Sequence, residues 1–265
     1  MAWWGKVVGG AFGFMLGGPL GALFGAAVGH HFDHGLDASA SADTGASLNE
    51  RIQLAFFTAT FSVMGHLAKA DGRVTRDEID HARAVMREMR LSPDQIQVAE
   101  SLFRSGREAS FNLDAVLGQL VRECRRRTTL LQMFIEIQLH AAYADGELHP
   151  RELDVLRHCA ARLGFAPAQL EQLVALVEAA RGAHGRQRTS RPEVMSLDSA
   201  RAILGVKPDA GQADIKRAYR RLMSQHHPDK LASKGLPEEM LKVATEKTQE
   251  IRAAYERLRD AGHSS

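Results

Sequence analysis

From Val7 to Gly29 the chain carries no charged residue. At ~1.5 Å per residue a helix over this run spans roughly 34 Å, enough for a ~30 Å hydrocarbon core. Glycine recurs at every fourth position through it, at Gly5, Gly9, Gly13, Gly17, Gly21, Gly25 and Gly29. In water each glycine would cost a helix about 1 kcal/mol relative to alanine. In lipid the backbone has no other hydrogen-bond partner, so the helix persists. The run therefore reads as a single transmembrane helix over residues 7–29, after a short flank at 1–6. Trp3 and Trp4 suit one interface, and His30, His31 and Asp33 mark the other. The small residues of the stripe, Gly9, Gly13, Gly17, Gly21 and Gly25, let two copies approach closely, which predicts a homodimer. A cleaved signal peptide fits less well, because the Ala-Ser-Ala repeats at 38–42 lie too far beyond the apolar run.

Residues 30–46 read as a tether, small and polar from Ala38 to Ala46. Ser47-Leu-Asn-Glu50 has the pattern of a capping box. From residue 47 to 181 the chain is helical in pattern and contains an internal repeat. His66-Leu-Ala-Lys-Ala-Asp-Gly, followed by Glu78, aligns with His140-Ala-Ala-Tyr-Ala-Asp-Gly, followed by Glu152. Leu91-Ser-Pro93 aligns with Phe165-Ala-Pro167 at the same offset. A constant offset over several marks predicts two related halves packed into one all-α domain, with a helix near 112–122 between them. Pro93, Pro150, Pro167 and Pro237 suit helix starts. Asp71, Glu78, Asp145 and Glu152 are the candidate metal ligands, since hard cations prefer carboxylate oxygens. Asp-Gly is also an ordinary turn, and the spacing is not that of a known calcium loop, so the expectation is that no metal binds. Residues 182–195 are rich in arginine without apolar period and read as a basic linker.

The last part of the chain, 196–265, carries the most specific pattern. Ile215, Ala218, Tyr219, Leu222 and Met223 form one apolar helical face, and Lys216, Arg217, Arg220 and Arg221 form the opposite, basic one. Asp214 can cap this helix at its start. Pro228 lacks an N–H and disfavours helical geometry at His227, so the helix stops there and leaves His227-Pro228-Asp229 as a short polar corner. Upstream, Ser199 to Leu204 reads as a short helix stopped by Gly205. Downstream, a helix opened by Pro237 and running to about Asp260 carries Ala244, Ile251, Tyr255 and Leu258 on one face.

This arrangement resembles the J-domain of Hsp70 co-chaperones, a helical hairpin with a His-Pro-Asp loop between a basic second helix and a third helix bearing Ala-Tyr-x-x-Leu. Ala200 and Arg201 depart from the paired tyrosines often found in the first helix. The zinc-binding module of some J-proteins is absent, for Cys124 and Cys159 are the only cysteines and form no Cys-x-x-Cys. The middle region resembles the TerB-like domain named for tellurite resistance. With the apolar N-terminal helix, the whole chain is similar to the membrane-anchored bacterial J-proteins.

The resemblance implies a co-chaperone, not an enzyme, which stimulates the ATPase of an Hsp70 (DnaK) and directs it to membrane-proximal clients. It assigns activation to His227, Pro228 and Asp229, and docking to Lys216, Arg217, Arg220 and Arg221. It also implies a stress response and a link to envelope or capsule signalling. Flanking charge alone favours a cytoplasmic N-terminus, because Lys6 precedes the span and no Lys or Arg follows until Arg51. Hsp70 and ATP are cytoplasmic, so the expected topology is single-pass in the bacterial inner membrane with the J-domain in the cytoplasm. The nearly balanced net charge of +2 gives no reason to expect nucleic-acid binding. No phosphate-binding glycine loop or nucleophile motif is present, so no cofactor is expected. Two other readings of the middle region are a metal- or stress-sensing domain with the J-domain as output, and a hydrolase built on His66, His140 and the repeated aspartates.

Overall fold

The computed structural model describes residues 18–27, 48–70, 82–87, 89–125, 127–143, 146–185 and 195–263. Trp3, Trp4, Lys6, Gly9, Gly13, Gly17, the tether, Ser47, Asp71, Glu78, Asp145 and most of the basic linker lie outside them. All regular structure among the described residues is helical. The elements are α1 (18–27), α2 (Leu48–Ala68), α3 (82–87), α4 (Pro93–Gly106), α5 (Leu113–Glu123), α6 (Thr128–Ala142), α7 (Pro150–Arg162) and α8 (Pro167–Gly185). After these come α9 (Leu197–Leu204), α10 (Gln212–His226), α11 (Pro228–Ala232) and α12 (Leu241–His263).

Helix α2 is the hub. Its residues from Ala55 to Gly65 are all buried, and it packs against α4, α5, α6 and α7. A helix apolar on every side is stable only when surrounded. Phe56 meets Phe134 of α6 edge to face, with ring centroids 6.0 Å apart. Close approach to α4 depends on two glycines. A Cβ on Gly65 would stand 1.9 Å from the Phe103 carbonyl oxygen, and one on Gly106 would stand 1.8 Å from that of Ser62.

The repeat is visible in the backbone. In the first half Leu91 N–H donates to Met86 O and Met89 N–H to Val85 O; in the second Phe165 N–H donates to Ala160 O and Leu163 N–H to Cys159 O. The next helix then starts in the same way in both. The Ser92 amide donates to Gln95 Oε1 at 2.9 Å, and the Ala166 amide to Gln169 Oε1 at 2.8 Å. Pro93, Pro150 and Pro167 each open a helix, as the sequence leads one to expect.

The C-terminal helices form a second, smaller core. Ala200, Ile203 and Leu204 of α9, Ile215 and Ala218 of α10, and Ile251, Ala254 and Leu258 of α12 close on one another. Tyr219 and Tyr255 stack across α10 and α12 at 4.3 Å. Gly205 ends α9 with φ 62° and ψ 39°, the left-handed cap anticipated from its position.

Three expectations change. Helix α10 starts at Gln212 after an N-cap at Gly211, so Asp214 lies in the first turn and not at the cap. There its charge still favours the helix dipole, and it faces Arg217 at 3.7 Å. Pro237 opens a 3-10 turn, Glu238–Met240, and the long helix begins only at Leu241 and runs to His263. The His-Pro-Asp corner is not a loop but the entry to α11. Of the apolar N-terminal run, α1 is the part among the described residues, and within it Gly18 has φ +62°. Leu20 and Ala27 are buried, and the Leu20 amide donates to Gln119 Oε1 at 2.7 Å. No helix among the described residues is long and apolar enough to cross a membrane.

Candidate Hsp70-docking site

Alternation of apolar and basic residues along α10 decides which face is free. Ile215 and Ala218 are buried, and Tyr219, Leu222 and Met223 pack partly against the small core. Lys216, Arg217, Arg220 and Arg221 are all exposed and share the opposite face. At the end of that face His227 has extended backbone, φ −60° and ψ 125°, as a residue before proline prefers. Its Nδ1 accepts the Asp229 amide at 3.2 Å and so caps α11. Pro228 at the first helical position needs no donor there. The His227 side chain is 43% exposed and the Asp229 side chain 89%. Lys230 donates to Ser224 Oγ at 2.7 Å, tying the corner back to α10. Four cations thus lie beside a capped corner whose carboxylate is open to solvent.

The neighbour of this corner is unexpected from sequence. His226, one residue before it, is buried with its Nδ1 3.6 Å from the buried Glu136 Oε2 of α6. Leu231, Leu236, Met240 and Ala244 join the core around α2, not the small core. Local pattern contains no sign of this, since Glu136 lies 90 positions before His226 and the core they join around α2 is built from segments earlier in the chain.

The candidate metal ligands have a plainer account where they are described. Glu152 accepts the His149 amide at 3.0 Å and completes a capping box for α7. Among the described residues no group of three or more His, Cys, Asp or Glu side chains could hold a metal ion. His66 lies against Phe111, centroids 5.3 Å apart. Burial lowers its imidazole below the usual range, and Lys69 and His158 push the same way, against a hydrogen bond with the Gly106 backbone. His140 is exposed at the other half's equivalent position. Burial pushes the Cys124 and Cys159 thiols up to about 12, which leaves both in the unreactive protonated form.

Comparison with known proteins covers the chain from end to end. Residues 1–39 match the co-chaperone DjlA transmembrane domain, 57–175 match tellurite resistance protein TerB, and 202–263 match the DnaJ domain. The co-chaperone protein DjlA of Photobacterium profundum is 43% identical over 97% of this chain and 98% of its own. That of Legionella pneumophila is 40% identical over 96% and 94%. That of Coxiella burnetii is 43% identical over 98% of each. No solved structure matches. Helix order, the exposed basic face with its His-Pro-Asp corner and these full-length relatives agree: the chain belongs to the DjlA family of membrane-anchored J-domain co-chaperones.

Proposed function

We propose that this co-chaperone stimulates the ATPase of a DnaK-type Hsp70 at the cytoplasmic side of the bacterial inner membrane. The supporting observation is the free basic face of α10 running into the exposed Asp229. Lys216, Arg217, Arg220 and Arg221 would steer onto an acidic Hsp70 surface, adding on-rate and orientation more than affinity. His227, Pro228 and Asp229 would make the specific activating contact. A single-pass helix at 7–29 places this activity beside membrane-proximal clients, with 30–46 as tether, 47–181 as the client- or partner-selecting domain, 182–195 as linker and 196–265 as the J-domain. The glycine stripe would pair two copies.

The test is ATPase stimulation by the full chain in nanodiscs. His227→Gln should abolish stimulation while the helical circular dichroism stays unchanged, because a half-exposed side chain contributes little to the core. Arg220→Glu with Arg221→Glu should raise the half-saturating concentration and flatten its dependence on salt. Full stimulation by His227→Gln would sink the assignment.

A further inference from the structure

The His-Pro-Asp corner opens to solvent on one side and rests on the middle helices on the other. Just before it, His226 is buried against Glu136. Just after it, Leu231, Leu236 and Met240 have no exposed surface. Between these, Gly235 adopts φ +92° and seats its backbone against α2, where an added Cβ would stand 3.0 Å from Ile52 Cγ2. The Arg127 guanidinium donates to the Lys234 carbonyl, and Lys234 Nζ donates to Thr129 Oγ1 at 3.0 Å. The Gln95 amide donates to the Glu239 carboxylate. Helices α2, α4 and α6 and the residue leading into α6 therefore all grip residues 226–240.

None of this grip covers the proposed docking surface. The four cations of α10 are exposed, and so is the Asp229 carboxylate. A connection of this length between two helices would otherwise sample many conformations, and a partner would have to order it on binding. We infer that the middle domain positions the activating corner for Hsp70: Ile52, Arg127 and Glu136 are positioning residues that hold residues 226–240 in their binding conformation. Held in this way, the corner pays less ordering entropy on docking. The benefit belongs to affinity, and the maximal rate stays with His227, Pro228 and Asp229.

This inference rests on the co-chaperone reading, and one experiment separates the two. ATPase stimulation is titrated with the full chain in nanodiscs, with His227→Gln as the inactive control. Gly235→Val sets a branched side chain against Ile52 and should raise the half-saturating concentration about tenfold with maximal stimulation unchanged. Arg127→Ala, a gentler release that leaves the apolar contacts in place, should raise it severalfold.

Two results overturn positioning: folded release variants that stimulate like wild type, or variants that stimulate at a lower concentration than wild type, which would mean that the contact closes the site. If Gly235→Val fails to fold, Arg127→Ala decides alone. If the wild type stimulates no Hsp70, the co-chaperone reading falls, and the positioning role with it.

Discussion

Arg90 adopts φ +56°, in the left-handed region, while the equivalent residue of the second half is Gly164 at φ +88°. The two positions make the same turn: Arg90 N–H donates to Arg87 O and Gly164 N–H to Ala161 O. A residue with a Cβ is strained there, and a glycine is not. Arg90→Gly should therefore stabilise the protein by about 0.5–1 kcal/mol, offset in part by the freer unfolded chain. Gly164→Ala should destabilise it by a similar amount. Urea denaturation of the two variants checks both signs, and a destabilising Arg90→Gly would mean that the guanidinium contributes more than the strain costs. The corner is a different kind of residue-scale feature. His227, Pro228 and Asp229 are legible from sequence because proline restricts its own backbone and its predecessor's wherever it stands. That His227 caps α11 through Nδ1 follows only from the chain's turn at Pro228.

At the scale of elements, the crossing of α2 and α4 depends on Gly65 and Gly106 in mutual backbone contact. Helices this close have no room for even a methyl group, and the obstructing atoms are carbonyl oxygens that cannot rotate away. Gly65→Ala should destabilise the fold by on the order of 3 kcal/mol, measured as a lower urea midpoint with unchanged slope. Gly118→Ala serves as the control. A Cβ there would meet only an arginine side-chain nitrogen at 3.7 Å, and alanine has the better helix propensity. Equal effects of the two would show that α2 and α4 can separate at little cost. In the sequence these glycines look no different from the others. Only the facing helix distinguishes them, and the facing helix is a product of the fold.

For the whole molecule, the glycine stripe in the apolar N-terminal run makes the proposed dimer testable. Successive glycines four apart drift by ~40° round a helix, so close contact can extend over only two or three of them. Gly13→Leu and Gly17→Leu should each weaken self-association in a membrane two-hybrid assay, whereas Leu16→Ala should matter less. Association of both glycine variants at wild-type strength would assign the stripe another role. Paired chains would carry two His-Pro-Asp corners, each held by its own middle domain.

Properties set by local chemistry were readable in the residues alone. Periodicity and prolines place the helices, the repeat announces two related halves, and alternation along α10 separates its packed face from its cationic one. The cap of α10 at Gly211, the 3-10 entry to α12 and the one-turn α11 depart from the local pattern, because several residues could end or begin a helix there and packing selects among them. The division of α12 between two cores belongs to tertiary structure alone. Ala244 joins the core around α2, while Ile251, Ala254 and Leu258 join the small one, although all sit on one stripe in the sequence. A stripe says that a face is buried; what buries it depends on contacts between distant segments, such as Glu136 with His226 and Ile52 with Gly235, which only the folded chain brings together.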